Sequence, residues 1–279
     1  MRTTNNEGAK KKSTLLASNP VMRRLDKVDE YTDDNAATFG GITGKTIFFL
    51  PFSVVGIFLQ LILGKYLAGG QLFNLNIKGF EVSLYMYEIF ALLGATLLAI
   101  VFQLLAFFAR GTTPVTGALY CVTQGYIISF LVFKVLRGFE YLGALALLIT
   151  MLIVVVMAVL YSTGIIRVTK KFKMVMLTLF ITVITVSLFT FIGSLIPFTQ
   201  PMVAALRQNF VLSIVFGVIF IIIAALFLIC DFNTIDHVVN DRLPKKYEWQ
   251  AAFGLSFTVL WLYLKVLDLI ITIAGHNKS

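Results

Sequence analysis

Long stretches without charged residues alternate with short polar segments along the chain. The charge-free runs cover residues 46–64, 89–109, 111–133, 141–166, 174–206, 208–230 and 249–264. A membrane-spanning helix needs about 20 mostly apolar residues, with a range of about 17–25. The last run reaches that length if its helix continues to about Ala274. The runs lack the two-residue alternation of a barrel strand, so the pattern predicts seven membrane-spanning helices and an all-α fold.

These helices divide the chain into a polar cytoplasmic N-terminal segment, residues 1–45, and a seven-helix transmembrane domain, residues 46–279. We expect the polar segment to be mobile or to lie on the surface, and no cleavable signal peptide is apparent in it. Pro197 ends the fifth predicted helix and Pro244 precedes the seventh. Pro51 is expected in the first turns of helix one, where proline is tolerated.

The composition supports a membrane protein. The chain is 58% hydrophobic and 13% charged, whereas a soluble domain carries roughly 25% charged residues. The net charge of +9 would suggest nucleic acid as a partner of a soluble protein, but here the basic residues lie in short loops between apolar runs. We therefore expect the lipid bilayer, and not nucleic acid, as the partner. Cys121 and Cys230 both lie inside apolar runs, so no disulfide framework is implied.

The distribution of Lys and Arg predicts the orientation. If the N-terminus is cytoplasmic, 16 of the 23 basic residues fall in inside segments, 6 fall in outside segments, and Lys265 lies within helix seven. Cytoplasmic loops carry the excess of Lys and Arg. The sequence therefore predicts a cytoplasmic N-terminus and an outside C-terminus.

The motifs of common enzymes are missing from the sequence. It has no phosphate-binding glycine loop, no zinc-binding His-Glu-x-x-His helix and no nucleophile elbow, and its only histidines are His237 and His276. We therefore expect a protein that is not an enzyme and has no cofactor, catalytic site or metal site.

Ionisable residues within apolar segments are rare, costly and usually functional. Asp231 is either an interfacial carboxylate at the end of helix six or an ion or proton site inside the bundle, in a helix that continues beyond it. Lys265 and Asp268 are three residues apart and can pair on one helix face. Alternatively, Lys265 neutralises Asp231, because the two positions are symmetric about residue 248 in a helical hairpin.

Two further polar residues lie in apolar surroundings. Glu88 begins helix two beside Tyr85 and Tyr87, and we interpret it mainly as an interfacial anchor, with a transport role as the lesser alternative. Gln124 in helix three is expected to face other helices as a structural polar residue, and Gly125 beside it allows a close helix approach.

Four stretches carry a family resemblance. They are SNPVMRRLD with ATFGGITGKT near the start, TPVTGALYCVTQGYIIS in helix three, GIIRVTKKFKMVM between helices four and five, and DFNTIDHVVNDRLPKKYEWQAAFGLSFTVLWLYLKVLDLI near the end. Over nearly its whole length the chain resembles bacterial members of the Bax inhibitor-1-like transmembrane family.

This resemblance implies a seven-helix fold with the last helix surrounded by the others, in a bacterial plasma membrane. It also implies a passive, pH-sensitive calcium leak in several members, and cell-death suppression or membrane-protease quality control in others. The leak is associated with a carboxylate on helix six, which maps onto Asp231, and one on helix seven, which maps onto Lys265. A further acidic position in helix three maps onto Gln124. This sequence therefore departs from the family pattern at two of three acidic positions.

The departures leave three functional hypotheses. The first is a small-cation leak or ion-homeostasis protein, with calcium or protons as the transported species and Asp231 as the gating carboxylate. The second is a non-conducting membrane regulator or scaffold that binds other membrane proteins in quality control or stress response. A proton-coupled transporter is the third, because one buried Asp–Lys pair can serve as a protonation switch.

Overall fold

A computed structural model of the protein describes residues 35–277, apart from residues 68, 70–71, 167, 197, 200, 202–204 and 206–208. The described part contains seven long helices: α1 (Phe39–Tyr66), α2 (Met86–Phe108), α3 (Thr113–Phe130), α4 (Tyr141–Ser162), α5 (Lys170–Leu195), α6 (Phe210–Asn240) and α7 (Lys246–His276). Six of the described helices, namely α1, α2, α3, α4, α6 and α7, are long and apolar enough to span a membrane. The predicted seven-helix membrane fold is therefore confirmed. Residues 1–34 of the expected polar N-terminal segment lie outside the described residues.

Helix α7 lies at the centre of the bundle. It packs against α1, α2, α3, α4 and α6, and side chains on all of its faces are buried, including Phe253, Leu262 and Leu267. Helix α5 packs on α6, where the ring centroids of Phe180 and Phe227 lie 5.9 Å apart. The central position of the last helix, which the family resemblance implied, is therefore confirmed.

The first helix begins earlier than the charge-free run indicated. Helix α1 starts at Phe39, and the Thr38 hydroxyl caps it by accepting a hydrogen bond from the Gly41 amide at 3.0 Å. The prediction that Pro51 lies in the first turns is wrong, since the proline is inside the helix. The charge of Lys45 obscured this start, because a lysine that finds a carboxylate partner can lie within a helix of the bundle. Proline at this position removes one backbone hydrogen bond from the helix.

A β-hairpin between α1 and α2 was not predicted. Strands β1 (Leu72–Ile77) and β2 (Phe80–Tyr85) pair antiparallel around a turn at Lys78 and Gly79, which both have positive φ. Two positive φ values are characteristic of a type I′ turn, which matches the twist of a hairpin. Strand β2 alternates buried and exposed residues, and this alternation is visible in the sequence as a strand signal.

Candidate functional site: buried carboxylates along the central helix

Asp231 lies in the interior of the bundle. Helix α6 continues to Asn240, the Asp231 side chain is fully buried, and its carboxylate accepts a hydrogen bond from the Thr258 hydroxyl of α7. The side chain therefore faces the interior of the bundle, in a helix that continues beyond it, as the second alternative for this residue expected. A change in protonation at this position adds or removes a full charge inside the membrane domain, where the free-energy cost of a charge is large.

Lys265 does not lie beside Asp231. Contacts between α6 and α7 join Asp231 to Thr258, Phe227 to Trp261 and Phe210 to His276. The midpoint in sequence of each pair falls between residues 243 and 245, whereas the prediction took residue 248 as the midpoint. Lys265 is seven residues beyond Thr258, which is about 10 Å along a helix. The expectation that Lys265 neutralises Asp231 is therefore wrong, because the tight connection at Pro244 sets a different register.

The ammonium group of Lys265 instead lies over the ring of Phe220, 5.0 Å from its centroid. A cation over an aromatic face is stabilised electrostatically. Asp268 acts on Lys265 as a nearby charge, but its direct ion pair is with Lys78 of the β-hairpin, at 2.5 Å. The predicted pair of Lys265 and Asp268 is therefore not self-contained, because Asp268 makes its direct ion pair with Lys78.

The β-hairpin is fixed to the end of α7 by a close backbone approach. A Cβ atom on Gly275 would lie 1.7 Å from the carbonyl oxygen of Lys78, and one on Gly79 would lie 2.5 Å from the Gly275 carbonyl oxygen. The Lys78 ammonium also donates to the Thr272 hydroxyl at 2.8 Å. The hairpin therefore holds Asp268 and the C-terminal end of the central helix in place.

Gln124 is buried within the bundle. Its side chain is 9% exposed and bonds the Tyr120 hydroxyl, while its Oε1 atom has no hydrogen-bond partner among the described residues. A Cβ atom on Gly125 would lie 1.8 Å from the carbonyl oxygen of Ser53 on α1. The predicted close approach at Gly125 is therefore confirmed, and Gln124 lies beside the tightest contact between α1 and α3.

An ion pair that the sequence did not suggest lies at the hairpin end of the bundle. Glu88 is 2% exposed and pairs with Lys134 at 2.6 Å. Lys134 lies in a π-helical turn, Leu131–Val135, that continues α3, and such turns are frequent at functional sites. Glu88 also accepts hydrogen bonds from the Tyr85 amide and the Tyr87 hydroxyl. The interfacial interpretation of Glu88 placed it at the correct end of the helix but missed its burial and its lysine.

A second ion pair closes the opposite end. Glu248, in the first turn of α7, is 1% exposed. It pairs with Lys45 of α1 and accepts a hydrogen bond from the Thr38 amide at 2.8 Å. A Cβ atom on Gly41 would lie 2.3 Å from its Oε1 atom. The charge-free run of the last helix begins at residue 249, so the only sequence signal of this ion pair was an acidic residue near a helix start.

The three carboxylates occupy three levels of the bundle. Glu248 and Glu88 lie at its two ends and are each paired with a lysine, and Asp231 lies between these levels beside the central helix. Within the described residues, no group of three or more His, Cys, Asp or Glu side chains is placed to hold a metal ion. The arrangement can store or release a proton at Asp231, and it joins the helices firmly at both ends.

Comparison with known proteins gives one match. A family model described as Bax inhibitor 1 like matches residues 19–275, which is most of the chain. No curated protein and no solved structure matches the chain.

Proposed function

The chain belongs to the Bax inhibitor 1-like family, and from this premise we propose that it is a non-enzymatic ion-homeostasis protein that lets cations leak passively through the membrane in a pH-dependent way. Asp231 is the gating carboxylate in this proposal. The membrane is a bacterial plasma membrane, with the N-terminus in the cytoplasm. The observation that carries the proposal is the complete burial of Asp231 against the central helix α7.

The position of Asp231 suits a gate. Its hydrogen bond with Thr258 joins α6 to α7, so the packing of these two helices depends on the charge of one side chain. An ionised carboxylate within a membrane domain recruits water or a cation to offset its cost. Deprotonation of Asp231 therefore favours a hydrated opening between α6 and α7, and protonation favours the closed packing.

Calcium is not the cation that these residues suit best. Calcium prefers six to eight oxygen ligands, several of them carboxylates. In this chain Lys265 and Gln124 occupy two positions that are acidic in the family pattern, and Lys265 lies over Phe220, away from Asp231. We therefore expect calcium flux to be small, and flux of protons or monovalent cations to exceed it.

Ion flux through reconstituted protein tests the proposal. The purified chain is placed in proteoliposomes, and efflux of calcium and of potassium is followed across a pH series from about 5 to 8. We expect a potassium leak that increases as Asp231 deprotonates and that loses its pH dependence in Asp231→Asn. Asp241→Asn is the matched control, because it makes the same change at the end of the same helix in a side chain that is 67% exposed. A pH-dependent leak that persists in Asp231→Asn would refute the role of this residue.

One observation favours the second hypothesis, a non-conducting regulator that binds other membrane proteins. Strand β1 is an edge strand that exposes Phe73 and Leu75, and exposed apolar edge strands are suited to pairing with another chain. If the protein is such a regulator, the calcium and potassium flux through the proteoliposomes stays at background at every pH. Cross-links from residue 74 to a neighbouring membrane protein would then be lost in Phe73→Asp and kept in the same change at Phe198, which is 91% exposed and lies outside the long helices.

A further inference from the structure

A groove lies close to the proposed gate residue, since Phe232, the neighbour of Asp231 in sequence, and Leu255 of α7 both line it. Its volume is about 260 Å³, just below the range of about 300–1,000 Å³ typical of ligand pockets. Residues of α1, α4, α6 and α7 line it. Its lining includes Ile47, Ala158, Phe232, Ile235, Asp236 and Leu255.

The groove carries one acidic group. Among its lining residues only Asp236 is charged, and its carboxylate accepts a hydrogen bond from the Tyr161 hydroxyl. Tyr161 is in turn packed on Phe232, with ring centroids 5.9 Å apart. This pair therefore gives the groove a fixed negative group with remaining acceptor capacity for a donor.

The polarity of the groove changes with depth in the membrane. Asp236 and Tyr161 each lie in the last two turns of their helices, α6 and α4. Phe232 and Ala158 lie about one turn nearer the middle of the same helices, and Leu255 lies further along α7 from its start. On its α4 and α6 side the groove is therefore polar near the helix ends and apolar about one turn deeper, as a phospholipid is, while the α1 wall adds the hydroxyl groups of Thr43 and Thr46.

We propose that this groove binds one phospholipid whose headgroup carries a primary ammonium group, with the ammonium on Asp236 and an acyl chain along Phe232, Ala158 and Leu255. The ammonium donates a charge-assisted hydrogen bond to the carboxylate. The adjacent α6–α7 connection carries Arg242 and Lys245, which suit the phosphate of the same headgroup. A phosphatidylethanolamine has all three of these features.

Lipid retention measures this preference. The protein is reconstituted in vesicles that contain equal amounts of phosphatidylethanolamine, phosphatidylcholine and phosphatidylglycerol with identical acyl chains, and is then extracted in mild detergent. Retained lipid is counted by native mass spectrometry. Phosphatidylcholine has the same phosphate and a positive charge but no N–H donor. We expect phosphatidylethanolamine to exceed it about tenfold or more, as one charge-assisted hydrogen bond allows.

Three variants make the test specific. Asp236→Asn should remove the preference for phosphatidylethanolamine, and the matched control Asp241→Asn, on the exposed end of α6, should keep it. Ala158→Trp fills the groove without altering any charge and should lower retention of the bound lipid while the protein stays monodisperse. Equal retention of the three lipids by the unmodified protein, or a preference that survives both Asp236→Asn and Ala158→Trp, would overturn the proposal.

Discussion

The ion pair between Lys45 and Glu248 should contribute strongly to the stability of the bundle. The Lys45 side chain is 21% exposed and that of Glu248 is 2% exposed. Removing one partner of a buried pair costs about 3–5 kcal/mol. In Lys45→Met the stranded carboxylate keeps the hydrogen bond from the Thr38 amide, which offsets part of this cost. We therefore expect Lys45→Met to lower the free energy of unfolding by about 2–3 kcal/mol.

The two halves of this pair should not be equivalent. In Glu248→Gln the remaining charge is Lys45, whose flexible stem lets the ammonium reach water, so we expect a loss of only about 1–2 kcal/mol. The double variant should cost less than the two single changes together, because neither charge is then stranded.

Equilibrium unfolding in mixed detergent micelles measures these differences. Lys65→Met is the matched control, since Lys65 is an exposed lysine in the last turn of the same helix. The reasoning is refuted if Lys45→Met costs no more than the control, or if Glu248→Gln costs more than Lys45→Met.

Three further predictions concern packing, topology and the N-terminal segment. Gly125→Ala should destabilise the protein by about 1–3 kcal/mol or more in the same unfolding assay, whereas Gly94→Ala, where a Cβ atom meets nothing within 4 Å, should not. Cysteines placed at residues 13 and 279 should be labelled from the cytoplasm and from outside, respectively, and labelling of both from one side would contradict seven spans. Removal of residues 1–34 should leave the melting temperature within a few degrees of that of the full chain, because residues 1–34 offer few apolar side chains to bury and the contact in which the Asn35 carbonyl accepts from the Lys245 amide at 3.0 Å is kept. A large fall in the melting temperature would contradict this.

The sequence was sufficient to predict the helices because a bilayer demands long apolar segments. Each charge-free run lies at least partly within one of the helices. The predicted helix ends were less accurate, because Lys45 and Glu248 lie within helices. The two residues neutralise each other, and no local sequence pattern reveals this pairing. The β-hairpin was missed although its alternation was present, because the search for membrane spans treated the segment as a loop.

The candidate site was predictable in part. Asp231 was recognised because a carboxylate in an apolar helix is unusual, and the burial of its side chain agrees with the interior alternative. Its partner was mispredicted because the register of an antiparallel helix pair depends on where the connecting turn closes. When the centre of symmetry of the hairpin moves from residue 248 to residue 244, the residue of α7 that lies opposite Asp231 shifts by about two helical turns. Glu88 and Lys134 are far apart in sequence, so their pairing required the tertiary fold.

The protonation of Asp231 in the membrane is the most direct test of the proposed gate. Infrared difference spectra of the reconstituted protein, recorded across the same pH series as the ion flux, detect the carbonyl stretch of a protonated carboxyl group. We predict a band that disappears as the leak increases, with the same midpoint, and that is missing from Asp231→Asn and present in Asp241→Asn. A carboxyl band that titrates unchanged in Asp231→Asn, or a leak that switches at a pH where no such band changes, would contradict the account.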